Sequence, residues 1–219
     1  MKLKYRCLIL DHDDTAVNSS ATVHLPAHLA SMEQLRPGRA PISLEDWFRK
    51  NYHPGIMSFL RDEVGLDARE LEQEHAIWRR FTTSTTPEFY PGFLAALDRY
   101  RQAGGLITVV SHSEVDIIRG HYGEVALDAV YGWDDDPTRR KPSPWPVEQI
   151  LKRFSLEPGE ALVVDDLKPG VVMSQAAGVP CAAAGWGHRI SEIERDMRAN
   201  TLVYLESVEQ LADFVLQQR

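Results

Sequence analysis

The sequence predicts an α/β fold: a Rossmann-like parallel sheet core with an inserted α-helical domain. Three observations predict it. Short apolar runs end in polar residues at intervals along the chain, and stretches able to form helices separate them. Strands alternating with helices imply βαβ units and right-handed crossovers. One interval, from about Asn18 to Glu88, is too long for a simple crossover and carries helical patterns of its own.

The elements follow in order. Cys7-Leu8-Ile9-Leu10 reads as a buried strand and ends in Asp11-His12-Asp13-Asp14-Thr15. Residues i and i+2 of a strand share a side, so Asp11 and Asp13 would serve one ligand. Residues 91–102 are predicted helical, and Leu106-Ile107-Thr108-Val109-Val110 is a strand ending in Ser111-His112-Ser113. A weaker run, Ala129-Val130-Tyr131, leads through an acidic, Pro-containing loop to Lys141. A helix over 147–154 precedes the strand 161–164, which ends in Asp165-Asp166. Another helix over 171–177 precedes the strand 180–184, which ends in Gly185-Trp186-Gly187-His188. A last strand over 201–205 leads to Ser207, placed to cap a helix over Val208–Leu216. In an open α/β sheet, ligands collect at the carboxyl ends of the strands. Asp11, Ser111 and Asp165 should therefore surface on one edge.

Within the insertion, Asp67 with Glu70 forms a capping pair that opens a helix with Leu71, His75, Trp78 and Phe81 on one face. Ser43 with Asp46 opens another, carrying Trp47 and Phe48, and Ser58-Phe59-Leu60 belongs to a third. Linkers are expected near Asn18-Ser19-Ser20 and from Thr82 to Pro87. The expected division is a core of residues 1–17 and 89–219 and a helical domain of residues 18–88.

The chain resembles hydrolases of the haloacid dehalogenase superfamily, in the phosphatase branch related to phosphoglycolate phosphatase. Four motifs carry the resemblance, in the family's order: Asp11-x-Asp13-x-Thr15, Ser111, Lys141 in Lys141-Pro142-Ser143-Pro144, and Asp165-Asp166. Tyr90-Pro91-Gly92 and Ala103-Gly104-Gly105 look like the family's lead-in to its second motif. Two positions depart from the pattern. Asp14 stands where the family usually has Gly, and Val164 stands where Gly often precedes the fourth motif's Asp. Asp tolerates left-handed backbone better than most residues, so the first turn should survive.

The resemblance implies a role for each residue, and the chemistry is consistent with it. A carboxylate nucleophile splits phosphate-ester hydrolysis into two steps. At ~4 Å and an effective dielectric near 20, a carboxylate and a phosphate dianion repel by roughly 8 kcal/mol. A cation is therefore needed, and Mg²⁺ suits an all-oxygen site that must admit phosphate and water. By resemblance Asp11 is nucleophile and metal ligand, and Asp13 is general acid, then base, lending its carbonyl to the metal. Ser111 and Lys141 bind the phosphoryl group, His112 is a further phosphate-binding candidate, and Ser113 bounds the pocket. Asp165 and Asp166 complete the metal site, with Asp165 the favoured inner ligand, and Thr15 steadies the first loop. An acid two residues past the nucleophile provides the proton that an ester leaving group needs, so dehalogenation and phosphonate cleavage are disfavoured. A sugar phosphomutase would retain Asp13 and stays open as an alternative. A phospho-accepting receiver or a non-catalytic binding protein is the different-class alternative; a receiver would lack the inserted helices.

The resemblance makes the insertion a mobile cap that closes over the site and reads the leaving group. Candidate substrate contacts are His12, Thr15, Arg49 and Lys50, although cations such as the last two are favourable at a helix end without a ligand. His12, between the two key aspartates, would face the incoming cap. His75 is expected to be a packed core histidine.

Composition agrees. The chain has 219 residues, 43% hydrophobic and 26% charged, with formal net charge -8. That balance argues against nucleic-acid or acidic-membrane partners. The expected partner is a small anionic phosphorylated substrate, drawn by local positive charge, to a monomer or homodimer. The first apolar run is too short for a signal peptide, and no stretch could span a bilayer. Cys7 and Cys181 both fall in expected strands, as inert core thiols in a reducing cytoplasm.

Overall fold

A computed structural model describes residues 3–216; residues 1–2 and 217–219 of the expected core lie outside that range. The strands are β1 (Cys7–Leu10), β2 (Leu106–Val110), β3 (Ala129–Tyr131), β4 (Ala161–Asp165), β5 (Cys181–Ala184) and β6 (Val203–Leu205). They form one six-stranded sheet of order β3-β2-β1-β4-β5-β6, parallel at every pairing. The helices are α1 (Leu25–Leu35), α2 (Leu44–Tyr52), α3 (Ile56–Ser58), α4 (Ala68–Ser84), α5 (Phe93–Gln102), α6 (Val115–Tyr122), α7 (Trp145–Phe154), α8 (Lys168–Ala176), α9 (Ser191–Asn200) and α10 (Val208–Leu216). The chain separates into two compact units, one of residues 1–17 and 89–219 and one of Asn18–Glu88.

In the sheet unit, β1, β4 and β5 are buried along their whole length. That is why they read as continuous apolar runs and not as alternating ones. Leu8, Leu10, Val109, Leu162 and Val164 pack with Phe93, Leu97 and Tyr100 of α5 and with Leu211 and Val215 of α10. Each such side chain removed from water is worth about 1.5–3 kcal/mol. Register then places the site. Leu10 pairs with Val109 on one side and Val164 on the other, so the residues that follow emerge level with one another. The Asp11 amide continues the ladder by donating to the Val164 carbonyl (2.8 Å), and Ser111 donates to Tyr131 (3.0 Å).

Several boundaries shift for local reasons. The helix expected from residue 91 begins at Phe93, because Gly92 adopts φ +81° and Pro91 belongs to the turn. The last strand begins at Val203, two residues late. Helices α6 and α9 escaped the sequence reading. Helix α9 buries only Ile193 and Met197 among its polar residues, too sparse a stripe to recognise.

The helical unit has its own core of Met32, Phe59, Leu60, Val64 and Leu66. Both expected caps form. The Glu70 amide donates to Asp67 Oδ1 (2.9 Å) while the Asp67 amide donates to Glu70 Oε2 (3.0 Å), and the Asp46 amide donates to Ser43 Oγ (3.0 Å). Arg36, just past α1, grips Glu70 with both terminal nitrogens (2.6 and 2.8 Å), tying α1 to the start of α4. Helix α4 runs on through Thr82, Thr83 and Ser84, so the second linker is shorter than expected. The buried residues of α4 are Ile77 and Thr82. His75 is exposed and stacks on Trp78 (5.7 Å between centroids), contrary to the expected packed role.

The packed histidine of this unit is His28, which lies against Trp47 and Phe59, with no hydrogen-bond partner for Nδ1 among the described residues. Burial, then the nearby Arg39 charge, lowers its pKa to about 4. The unfolded chain takes up this proton near pH 6.5 and the folded one near 4. The stability contribution of neutral His28 is therefore full above about pH 6.5 and lost as pH falls towards 4. The loss amounts to about 3 kcal/mol. Urea unfolding at pH 7.5 and 4.5 should show that excess loss in the wild type relative to His28→Leu; equal losses would contradict it.

Candidate active site

The first loop turns sharply after β1. Asp14 takes the left-handed conformation (φ +56°), so the turn survives without glycine. The Asp14 amide donates to the Val17 carbonyl (2.8 Å), and Ala16 donates to His12 (2.8 Å). Room for Asp14 comes from Gly187, where a Cβ would stand 2.2 Å from the Asp14 carbonyl oxygen. Next to it, Trp186 Nε1 donates to the Thr15 carbonyl (2.9 Å). The loop after β5, which the sequence marked only as a strand end, thus braces the loop after β1.

Asp11, Asp165 and Asp166 are all buried and each offers a carboxylate oxygen within 4.8 Å of the others. Lys141, also buried, reaches between two of them: Nζ lies 2.7 Å from Asp11 Oδ1 and 2.9 Å from Asp165 Oδ2. The other Asp165 oxygen accepts from the Leu167 amide (3.0 Å). Asp166 Oδ1 accepts from Thr15 Oγ1 (3.2 Å), while Asp166 Oδ2 has no hydrogen-bond partner among the described residues. His188 Nε2 lies 3.6 Å from that oxygen. Burial, then a buried neighbouring carboxylate, raises the pKa of Asp11 to about 8 and that of Asp166 well above its usual range. Burial opposes charge on Lys141, but Asp11 and Asp165 outweigh it and keep the ammonium protonated. Fully ionised, three carboxylates facing one ammonium would leave excess negative charge, which adds to burial in raising two of them. An oxygen-only cluster with an unengaged buried oxygen fits a hard dication such as Mg²⁺.

Asp165 sits under α8 where only glycine fits. A Cβ on Gly170 would lie 2.0 Å from Asp165 Oδ2 and 2.1 Å from its Cγ. Gly170→Ala should push the Asp165 carboxylate off Lys141 and cost about 1–3 kcal/mol of stability in urea unfolding. Unchanged stability would contradict that close fit.

On the other side, Asp13 Oδ2 accepts from Ser111 Oγ (3.2 Å) and from Ser113 Oγ (2.6 Å). His112 turns away from this group. Its Nε2 pairs with the Lys141 carbonyl oxygen (2.8 Å), and burial, then the Lys141 charge, lowers its pKa to about 4. It is thus a neutral support for the Lys141 loop. His12 has partners within the sheet unit. Its ring is buried within the sheet unit, with Nε2 2.9 Å from His121 Nδ1 and Tyr122 alongside. Period-2 alternation gave its direction, but helix α6, which meets it there, was not foreseen. In the helical unit, Arg49 is held by Glu45 and Asp46, and Lys50 by Glu63.

Carboxylates, hydroxyls and a buried lysine thus gather at the carboxyl ends of a parallel sheet, the place where ligands collect in α/β proteins. A family model described as haloacid dehalogenase-like hydrolase matches residues 5–178. The chain belongs to that family of hydrolases. It is 25% identical to phosphoglycolate phosphatase 1 of Pseudomonas aeruginosa over 84% of this chain and 70% of that protein. A second relative, phosphoglycolate phosphatase of Xanthomonas campestris pv. campestris, is 28% identical over 49% of this chain and 50% of its own length. The chain thus spans about half of that relative. Among solved structures, a haloacid dehalogenase-like hydrolase of Bacteroides fragilis superposes with a TM-score of 0.78 at 20% identity, over 95% of this chain and 100% of that one, which shows the fold. No helix of the described residues is long and apolar enough to cross a membrane.

Proposed function

We propose that the chain is a Mg²⁺-dependent phosphatase that hydrolyses small phosphomonoesters through a phosphoryl group carried on Asp11. The observation that carries this reading is the buried cluster Asp11-Asp165-Asp166 with Lys141 set between two of its members. Asp11, the Asp13 carbonyl and the unengaged oxygen of Asp166 would hold the metal, which supplies charge neutralisation for the phosphate when bound. Asp166 replaces Asp165 as the proposed inner ligand, because both Asp165 oxygens already have partners.

In the first step a carboxylate oxygen of Asp11 attacks phosphorus as the bond to the ester oxygen breaks, and Asp13 gives its proton to that oxygen. In the second step Asp13 takes a proton from water, whose oxygen attacks phosphorus, releasing phosphate and restoring Asp11. Lys141 offsets negative charge at Asp11 throughout, and Ser111 donates a hydrogen bond to the transferring group. The helical unit, as a cap, would choose the leaving group. The named activity of the relatives supports a substrate such as phosphoglycolate. Buried, unpaired Cys7 and Cys181 suit a cytoplasmic enzyme.

The test is phosphate release from a panel of small phosphomonoesters, phosphoglycolate included, with Mg²⁺ and with chelator. Turnover of at least one ester, abolished by chelator, is the expected result. Turnover indifferent to chelator would overturn the metal assignment. No release from any ester would move the reading to phosphoryl transfer between sugar phosphates.

A further inference from the structure

We infer that Ser113 is a positioning residue for Asp13: its hydroxyl fixes the carboxyl group so that one chosen oxygen delivers the proton to the leaving group. The inference rests on the proposed role of Asp13 as general acid. Nothing in the four motifs assigns a role to Ser113. The geometry does. Ser113 is buried, and its Oγ donates to Asp13 Oδ2 at 2.6 Å, shorter than the 3.2 Å bond from Ser111 to the same oxygen. The Ser113 amide also donates to Ser111 Oγ (3.0 Å), which sets the direction of the Ser111 hydroxyl.

Two hydroxyl donors on Oδ2 make it the acceptor oxygen, so the transferable proton belongs on Oδ1. The two serines cannot share that task throughout. Ser111 must give its hydrogen bond to the phosphoryl group once substrate binds, and a hydroxyl has one proton to donate. Ser113 is then the donor that stays on Oδ2. Without it, Oδ2 loses its closest hydroxyl donor, and the acid is less firmly held towards the ester oxygen. A general acid displaced in this way loses part of the 10²–10⁴-fold that such catalysis typically supplies.

This role predicts a dependence on the leaving group. An alkoxide needs its proton as the P–O bond breaks, whereas p-nitrophenolate departs unaided. The measurement is kcat/KM, which reports events through loss of the leaving group and not the later hydrolysis of phospho-Asp11. For Ser113→Ala, kcat/KM for an alkyl phosphate should fall roughly 10- to 100-fold, and for p-nitrophenyl phosphate it should stay within about twofold. Ser113→Thr, which keeps the hydroxyl, should recover most of the alkyl activity. Equal losses on both esters would overturn the inference, because a packing or phosphate-binding role moves both alike. Unchanged activity on both would overturn it as well. If Ser113→Ala does not fold, Ser113→Cys, with its weak donor, must show the same selective loss. Failure of the underlying reading looks different: wild-type protein would cleave neither ester in a metal-dependent way.

Discussion

Asp11→Asn should reduce phosphate release by roughly 10⁴-fold or more, because removing a nucleophile that acts with its partners as a unit forfeits nearly the whole chemical acceleration. The same substitution should stabilise the metal-free protein. Burial, then the charge of Asp165, raises Asp11 to about 8, whereas an unfolded chain ionises near 4. For a carboxyl group raised in the fold, the stabilising contribution is full below about pH 4 and lost as pH climbs towards 8. Asparagine carries no such titration. With chelator present, unfolding free energies of the variant and wild type should therefore converge near pH 4 and separate in favour of the variant by pH 8. Release that survives the substitution would identify a different nucleophile. A variant less stable than wild type at pH 8 would show that the Lys141 contact outweighs the repulsion.

Lys141→Met carries the largest expected loss of stability. Lys141 supplies the cation that lies within 3 Å of Asp11 and Asp165. Removing one partner of a buried charge pair typically costs 3–5 kcal/mol, because the remaining charge is left uncompensated. We expect a loss of about that size at neutral pH in urea unfolding with chelator present. It should shrink as pH falls and the carboxyl groups take up protons, and Mg²⁺ should restore part of it. A loss below about 1 kcal/mol at pH 7.5 would show that the cluster is already largely neutral. Activity should fall as well, since the approach of a phosphate dianion to Asp11 would go unscreened by the ammonium.

Much of this architecture was legible along the chain. A parallel sheet buried on both faces demands uninterrupted apolar runs, so β1, β2 and β4 stood out, as did the polar residues that end them. The caps at Ser43 and Asp67 were legible because a capping interaction spans only three residues. Helix α9 was not, since a polar helix that buries only Ile193 and Met197 leaves no periodic stripe, and α6 is only eight residues long. His75 was misplaced because the apolar face assigned to α4 missed Ile77, which is where the helix is buried.

What the sequence by itself determined is the set of groups that reach one sheet edge: Asp11 and Asp13, Ser111 and Ser113, Asp165 and Asp166. Alternation and strand ends are local properties, and they dictate side and level. Only the tertiary structure decided which atom meets which. Thr15 finds Asp166 across 151 residues of chain, and Ser113 finds Asp13 across 100. It turned His112 behind Lys141 and His12 onto His121, and it engaged both oxygens of Asp165 while leaving one of Asp166 without a donor. Adjacent aspartates are indistinguishable as sequence. They differ because a buried oxygen's partners are set by packing between distant segments, which the local pattern does not encode.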